Sequence, residues 1–253
     1  KGLKAGVTLA VMGGSITIDS SDDALHSNGG MLISGGDVTA ASGDDGIHAD
    51  TSINIVAGDI TISQSYEGIE SAAIIIGGGS LHVVASDDGI NVSGGADGSS
   101  MMGRPGQNSF SSSGNYLQLN GGRVVVDAQG DGIDVNGSVT MTGGVVIVSG
   151  PTSSMNGALD YLGGFTVSGG FLVAAGSTGM AQAPDTVSSQ NSVMVNLSSS
   201  MPEGTMFRIE TEGGEEVLTF VPARAYQSVV LSSPSLVDGE TCVVYTGGAA
   251  TGT

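Results

Sequence analysis

The chain has 253 residues, of which 44 are glycine, none is tryptophan and only 4% are aromatic, so it lacks the large side chains that fill most globular cores. Its 25 acidic and 6 basic residues give a net charge of −19, which excludes nucleic acid and anionic membrane surfaces as general partners. The single cysteine, Cys242, excludes a disulfide framework and a cysteine-based zinc site, and no apolar run is long enough for membrane insertion. These limits favour a repetitive β structure with a core of small and β-branched side chains.

A short motif returns at a nearly fixed interval through the first 160 residues. The segments SSDDALHSN, SGDDGIHAD, QSYEGIESA and ASDDGINVS each begin 21 or 22 residues after the one before. Their alignment gives an acid column of Lys1, Asp23, Asp45, Glu67, Asp88 and Asp131. It gives an apolar column of Leu3, Leu25, Ile47, Ile69, Ile90, Ile133 and Leu159. It also gives a polar column of Lys4, His26, His48, Glu70, Asn91, Asp134 and Asp160.

Two alternating apolar segments follow each motif and flank a glycine-rich corner. In the first repeat they are Val7/Leu9 and Ile16/Ile18, and in the second Met31/Ile33 and Val38/Ala40. Alternation with a period of two predicts strands that turn one face inward. Three short strands in about 22 residues predict one coil of a solenoid, because a β-propeller blade needs about 40–50 residues. Leucine-rich repeats share the period but need helix-forming stretches, which are missing here. We therefore predict an all-β fold, a right-handed parallel β-helix with about 22 residues per coil.

The period is interrupted once and then ends. Residues 96–114 are rich in Gly and Ser and predict a loop that projects near the acidic turns. After residue 185 the repeat is lost, and MFRIETEGGEEVLTF predicts a hairpin that turns at Gly213-Gly214. A further strand is predicted after a turn at Asp238-Gly239. The predicted domains are a solenoid over residues 1–185 and a small antiparallel β cap over 186–253, packed on the solenoid.

The acidic turns concentrate charge on one edge of the predicted solenoid. Five windows (22–26, 44–48, 66–70, 87–91 and 130–134) hold ten of the 25 acids and no Lys or Arg. Stacked about 5 Å apart, each pair of like charges costs roughly 1 kcal/mol in water and about 3–4 kcal/mol at an effective dielectric of 20. A hard cation with oxygen ligands, Ca²⁺ above Mg²⁺, would remove this cost. The predicted Ca²⁺ ligands are Asp22, Asp23, Asp44, Asp45, Glu67, Glu70, Asp87, Asp88, Asn91, Asp131 and Asp134.

Two other interpretations of these turns stay open. The acids could cap strand ends and accept turn hydrogen bonds, since Asp and Asn favour such turns without any metal. Crowded carboxylates could also hold protons, because each raises the pKa of its neighbours. His26 and His48 lie one coil apart in the polar column, where they are either transition-metal ligands or outward-facing polar residues. His82, between Leu81 and Val83, is predicted to lie on the surface.

Taken together, these segments resemble a known family. The runs SSDDALHSNGG, SGDDGIHAD, QGDGIDVNGSVTMTGG and NGALDYLGG resemble bacterial cell-surface β-helix proteins called carbohydrate-binding domain-containing proteins. The resemblance implies Ca²⁺ on the acidic turns, a fold similar to that of pectate lyases, and binding of plant-wall polysaccharides such as polygalacturonate, with cellulose as a further polymer. The chain departs from the family pattern where Gly157 and Ala158 stand in place of the acids of the sixth turn.

The function expected from the sequence is non-catalytic, Ca²⁺-dependent binding of acidic polysaccharide by a monomer that is extracellular or attached to the cell surface. Because residue 1 is Lys rather than Met, we expect the chain to be a processed or trimmed piece. The candidate ligand contacts are His26, His48, Tyr66, Arg104 and Phe110. The alternative is a polysaccharide lyase that cleaves uronate polymers by Ca²⁺-assisted β-elimination, with Lys4 or Arg104 as base. A purely structural surface module is the third possibility.

Overall fold

The computed structural model describes residues 1–93 and 114–248. Within these ranges the secondary structure consists of 23 β-strands and no helix. Strands β1 (Leu3–Ala5) to β18 (Phe171–Gly176) form a parallel β-solenoid of about 7 coils with about 22 residues each. A small antiparallel sheet follows near the C-terminus. The predicted fold class is confirmed in these features. The part of the chain described here contains no helix long and apolar enough to cross a membrane.

One face of the solenoid is a seven-stranded parallel sheet, which we call the ladder sheet. Each coil contributes one three-residue strand, and neighbouring strands align the apolar and polar columns in the register predicted from the sequence. The strands are β1 (Leu3–Ala5), β3 (Leu25–Ser27), β5 (Ile47–Ala49), β7 (Ile69–Ser71), β10 (Ile90–Val92), β13 (Ile133–Val135) and β16 (Leu159–Tyr161).

The other two faces belong to a second, larger sheet. In the first three coils one long strand bends at the corner and serves both faces: β2 (Thr8–Ser20), β4 (Gly30–Ser42) and β6 (Ser52–Gln64). In later coils the corner separates two strands. They are β8 (Ala73–Ile76), β9 (Ser80–Ala85), β11 (Tyr116–Leu119), β12 (Arg123–Ala128), β14 (Ser138–Met141), β15 (Val145–Ser149), β17 (Phe165–Val167) and β18 (Phe171–Gly176).

The core is built from stacked columns of aliphatic side chains. Ile33, Ile55 and Ile76 continue one such column from coil to coil, and each is almost fully buried. In the first coil the column member is Val11, which pairs with Ile33, whereas Val7 is 76% exposed. The predicted pair Val7/Leu9 was therefore wrong by two residues, and the inward pair is Leu9/Val11. Rows of Ile, Leu and Val replace the aromatic residues of an ordinary core.

Glycine is required at the corner between the two larger faces. The second residue of each corner has a positive φ, for example 87° at Gly14 and 100° at Gly36. A Cβ on Gly36 would also lie 2.9 Å from the carbonyl oxygen of Gly14 in the coil before. Both the left-handed backbone and the close stacking therefore exclude other residues, which confirms the conformation predicted for the GG corners.

The C-terminal segment continues the solenoid sheet before it forms a sheet of its own. β22 (Tyr226–Ser232) pairs antiparallel with β18 of the last coil, and β19 (Ser192–Met201) pairs with β22. A separate three-stranded sheet contains β20 (Phe207–Thr211), β21 (Glu216–Phe220) and β23 (Cys242–Thr246). The predicted turns at Gly214 and Gly239 are confirmed by positive φ angles of 84° and 79°.

A second hydrophobic cluster joins this cap to the outer face of the last coil. Val173 and Ala175 of β18 point away from the solenoid core and pack with Phe207, Ile209 and Tyr226. The rings of Phe207 and Tyr226 meet edge to face at 6.2 Å. The cap is therefore packed on the last coil of the solenoid. The loop predicted for 96–114 lies outside the described residues except at Gly114.

Candidate functional site

Most of the predicted cation ligands lie in the turns that lead into the ladder sheet, and the other three, Glu70, Asn91 and Asp134, lie on its strands β7, β10 and β13. We call this set the acidic ladder: Asp22, Asp23, Asp44, Asp45, Glu67, Glu70, Asp87, Asp88, Asn91, Asp131 and Asp134. Backbone hydrogen bonds hold successive turns in register, for example from Gly68 N–H to the Asp88 carbonyl at 2.9 Å and from Gly89 N–H to the Asp131 carbonyl at 2.9 Å. Neighbouring carboxylates are therefore separated by one strand spacing, about 4.8 Å.

The structure brings most of these residues together in groups of three. Each group has ligand atoms that all lie within 4.8 Å of one another. The groups are Asp22/Asp23/Asp44, Asp23/His26/His48, Asp45/His48/Glu70 and Asp88/Asp131/Asp134. Glu67, Asp87 and Asn91 belong to the ladder but to none of these groups. The ladder thus contains two all-carboxylate groups and two that include histidine.

The N-terminal end of the ladder is neutralised by a lysine. Lys1 Nζ lies 3.1 Å from Asp22 Oδ1 and 2.6 Å from Asp23 Oδ2. Burial acts to raise the pKa of Asp22, but hydrogen bonding and charge from Lys1 hold it near 2. The absence of Lys and Arg from the five sequence windows was therefore misleading, because Lys1 reaches into the turn of the following coil.

Histidine neutralises the next part of the ladder. His48 Nδ1 lies 2.8 Å from Asp45 Oδ2 and 3.1 Å from Glu70 Oε2. Burial opposes protonation of His48, but the hydrogen bonds to Asp45 and Glu70 raise its pKa to about 11. Burial, with the nearby charge of Glu70, raises the pKa of Asp45 to about 8 although its bond to His48 opposes the change. Both shifts keep protons in this cluster at neutral pH.

Among the described residues, no Lys, Arg or His side chain compensates the C-terminal part of the ladder in this way. Burial is the first cause that raises the pKa of Asp88 to about 8, of Asp131 to about 6 and of Asp134 to about 7. Asp131 adds repulsion at Asp88 and at Asp134, whereas the charges that raise the pKa of Asp131 are those of Asp160 and Asp87. Over residues 1–93 and 114–248, no ion pair joins these three carboxylates to Lys, Arg or His. They form the strongest candidate cation site in the structure.

Two residues close to this cluster, Glu67 and Asn91, have only part of their hydrogen-bonding capacity or charge satisfied. Asn91 Nδ2 donates to Glu67 Oε2 at 2.7 Å, while Asn91 Oδ1 is buried with no hydrogen-bond partner. Burial, followed by the charges of Glu70 and Asp45, raises the pKa of Glu67 to about 10. A buried acceptor without a donor is costly, and a cation is one way to satisfy it.

Gly130 leaves room for the carboxylates of Asp87 and Asp88 from the previous coil. A Cβ at this position would lie 2.4 Å from Asp88 Oδ1 and 2.5 Å from Asp87 Oδ1. The Asp88 oxygen also accepts a hydrogen bond from the Asp131 backbone N–H at 2.6 Å. The space above Gly130 is therefore occupied by carboxylate oxygens from the previous coil.

The candidate ligand-contact residues differ in exposure. Tyr66 is 49% exposed and stands in the ladder, where its hydroxyl donates to Asp87, a contact that raises its pKa. His26 and His48 are buried, so they offer a polysaccharide no exposed surface. Their alternative interpretation as outward-facing polar residues is not contradicted in direction, since neither ring belongs to the hydrophobic core, but both rings are buried rather than exposed. Arg104 and Phe110 lie outside the described residues.

The structure adds residues that the predicted ligand set did not include. Asp160 lies beside Asp134 in the ladder sheet, and burial raises the pKa of its carboxyl group. Asp50 Oδ1 lies 3.4 Å from His48 Nε2. Asp160 could have been predicted because it belongs to the polar column of the repeat. Asp50 directly follows strand β5, and no sequence pattern pointed to it. At the sixth turn Gly157 takes the acid position opposite Asp131, while Ala158 is opposite Gly132.

Comparison with known proteins gives one finding. The family model described as "Carbohydrate-binding domain-containing protein" matches residues 1–46, the first two coils with Asp22, Asp23, Asp44 and Asp45. The match supports a carbohydrate-binding role. No curated protein and no solved structure matches the chain.

Proposed function

We propose that the chain is a non-catalytic, Ca²⁺-dependent binder of acidic polysaccharide, with a uronate polymer such as polygalacturonate as ligand. It would act as a monomer outside the cell or attached to its surface. The family match over residues 1–46 supports the carbohydrate part of this proposal. The cation and the acidic ligand are argued from the ladder.

The observation that carries the proposal is the cluster of Asp88, Asp131 and Asp134. Their carboxylate oxygens lie within 4.8 Å of one another, and burial together with repulsion from neighbouring carboxylates raises their pKa values. Ca²⁺ takes six to eight oxygen ligands and tolerates irregular geometry, whereas Mg²⁺ demands a strict octahedron. Because all three side chains are half-buried rather than sealed, solvent or ligand oxygens can complete the shell.

A bound ion would reverse the local sign of a strongly acidic surface. Without it, a protein of net charge −19 repels a polyuronate. With it, open coordination positions on the cation can accept the carboxylates of the polymer. The ladder sheet repeats this edge about every 4.8 Å, a geometry suited to a linear chain that presents one carboxylate per sugar.

The shortage of aromatic residues favours an acidic over a neutral polymer. Neutral sugars such as those of cellulose are usually held on aromatic faces. In the described part of the ladder sheet, Tyr161 of β16 donates its hydroxyl to the Ala183 carbonyl. Tyr66, in the turn before β7, lies beside Asp87. Its exposed ring can pack against one sugar, which gives it an auxiliary role.

The lyase alternative needs a base beside the cation, and its two candidates receive no support. Lys4 lies on β1 at the opposite end of the ladder sheet from Asp134, with β3, β5, β7 and β10 in between. Arg104 lies outside the described residues. Polygalacturonate incubated with the protein and Ca²⁺ should therefore yield no unsaturated product by ultraviolet absorbance, while appearance of that product would establish the lyase.

The proposal is tested by calorimetric titration of polygalacturonate into the protein with Ca²⁺ and with chelator. Binding should require Ca²⁺, and the Asp131→Asn/Asp134→Asn variant should lose it. The matched control is Asp37→Asn/Asp59→Asn, which removes the same charge from two exposed, paired acids on another edge of the solenoid. Equal binding in chelator, or equal losses in both variants, would contradict a specific Ca²⁺ site.

A further inference from the structure

Two histidines of adjacent coils stack inside the acidic ladder. The rings of His26 and His48 have centroids 5.0 Å apart and an interplanar angle of 19°. Both are buried, with 1% and 0% of their surface exposed, and Asp23 beside them is at 0%. The third histidine, His82, is exposed on another face. A buried pair of imidazoles is a costly arrangement that calls for a physical reason.

Each ring is oriented by the carboxylate three residues before it. Asp23 Oδ2 lies 2.6 Å from His26 Nδ1, and Asp45 Oδ2 lies 2.8 Å from His48 Nδ1. In metal sites a carboxylate at one ring nitrogen commonly fixes the orientation of the imidazole, so that the other nitrogen can bind the ion. Asp45 can hold His48 in this way while an ion binds at Nε2. Asp23, in contrast, must leave His26 Nδ1 before it can ligate an ion at His26 Nε2, because the two nitrogens face opposite sides of the ring.

Three of the six buried side-chain atoms without a hydrogen bond in the described residues belong to this group. They are Asp23 Oδ1, His26 Nε2 and His48 Nε2, which are all potential metal ligands, and Asp50 Oδ1 lies 3.4 Å from His48 Nε2. The ligand atoms of these three residues lie within 4.8 Å of one another. Around Zn²⁺, donors at about 2.0–2.1 Å lie within about 4 Å of each other, so rotation of the Asp23 carboxylate off His26 Nδ1, with small rotations of the two rings, would close the site.

We propose that Asp23, His26 and His48 bind one divalent transition-metal ion of the zinc class. Two imidazole nitrogens and one carboxylate suit Zn²⁺ and similar ions, whereas Ca²⁺ prefers oxygen ligands alone. The ion would join the second and third coils, because the three ligands come from the adjacent strands β3 and β5 and the turn before β3. Its burial makes this a structural site, separate from the calcium cluster and independent of polysaccharide binding.

In the structure without an ion, a lysine ammonium group and a shared proton occupy two of these ligands. Lys1 Nζ contacts Asp23 Oδ2, and His48 shares a proton with Asp45 and Glu70 when no ion is present. An ion at His48 Nε2 displaces the proton on that nitrogen, so binding releases protons to the buffer.

The experiment is calorimetric titration of Zn²⁺ into metal-stripped protein with Ca²⁺ in excess. We expect one Zn²⁺ per chain. His26→Gln or His48→Gln should abolish this binding, and Asp45→Asn, which removes a positioning carboxylate, should weaken it by about 10–100-fold. The matched control His82→Gln should bind as the unchanged protein does. Loss of Zn²⁺ in the presence of Ca²⁺, or equal effects of His82→Gln and His48→Gln, would overturn the proposal.

A second measurement uses the unchanged protein and does not depend on variants that fold. Co²⁺ in a four-coordinate nitrogen and oxygen site gives visible absorption bands much stronger than those of six-coordinate Co²⁺ bound by oxygens. We expect the strong bands, and their removal by Zn²⁺ but not by Ca²⁺. A weak six-coordinate spectrum would refute the site. Asp131→Asn/Asp134→Asn should leave these bands unchanged, so failure of the calcium proposal and failure of this one are distinguishable.

Discussion

Asp88 Oδ1 accepts a hydrogen bond of 2.6 Å from the backbone N–H of Asp131, one coil further along the solenoid. Asp131 Oδ1 repeats the contact with the backbone N–H of Gly157 at 2.5 Å. These carboxylates therefore join consecutive coils while they repel each other. The same groups that position the candidate cation site also control how stability depends on pH and on metal.

The first prediction concerns the metal-free protein. The pKa values of Asp88, Asp134 and Glu67 are raised to about 8, 7 and 10 from ordinary values of 3.8 and 4.5. The folded state thus binds more protons than the unfolded state between about pH 4 and 8, and stability falls as pH rises through the raised pKa values. His48, raised from 6.5 to about 11, acts in the same direction above pH 6.5.

Tm measured in chelator should therefore drop by about 5 °C or more between pH 5 and pH 8.5. Added Ca²⁺ should remove most of this drop, because a cation replaces the protons. A Tm that rises or stays constant over this range would mean that the carboxylates are not crowded in solution.

The second prediction concerns one member of the cluster. Asp134→Asn removes a half-buried negative charge, so in chelator at pH 8 it should raise Tm by about 2–4 °C, equal to about 1 kcal/mol. It should also weaken Ca²⁺ binding about tenfold, measured by calorimetry. Asp59→Asn, at an exposed position on another edge, is the control and should change neither quantity measurably. A lower Tm for Asp134→Asn in chelator would contradict the repulsion argument.

The third prediction concerns the space above Gly130. Gly130→Ala places a methyl group where Asp87 Oδ1 and Asp88 Oδ1 lie, at 2.5 and 2.4 Å. The carboxylates must move, so both Tm and Ca²⁺ affinity should fall. Gly13→Ala is the control, because a Cβ there meets no atom within 4 Å. Similar Tm and affinity for the two variants would mean that the turn adapts without cost.

The fourth prediction concerns the cap. Phe207 is fully buried against Tyr226, and Phe207→Ala should destabilise the protein by about 3–5 kcal/mol in urea titration. Arg224, which pairs with Asp127 of β12, is partly exposed, so Arg224→Ala should cost about 1 kcal/mol or less. If Phe207→Ala unfolds the cap alone, the urea titration will show two transitions instead of one.

The register of the ladder sheet could be predicted from the sequence because one fixed interval determines all three columns. Leu25 and His26 were placed by counting, and the strand pairs confirm those positions. Asp23 is held in the same register by the backbone hydrogen bond from Gly2 N–H to its carbonyl. Val7 was misplaced because the first coil has no earlier coil against which its alternation could be checked. The handedness of the solenoid, the bound ion and the polysaccharide stay predictions.

Side-chain burial within the ladder could not be predicted in the same way. An alternating pattern places His26 and His48 on the outward side of their strand, yet both are buried. Their burial depends on rotamers and on the turns around them, which the period does not encode. The contact of Lys1 with Asp22 and Asp23 likewise depends on the reach of one long side chain between coils.

The reversal of chain direction at β22 has a consequence for assembly. A bare terminal coil of parallel strands is a template on which an identical molecule could dock head to tail, and repeated docking would produce a fibre. β22 runs antiparallel to β18, and β19 runs antiparallel to β22. The strand directions at this end of the sheet therefore no longer allow the parallel pairing that a first coil would need. Deleting the C-terminal segment would therefore expose an end suited to open-ended polymerisation.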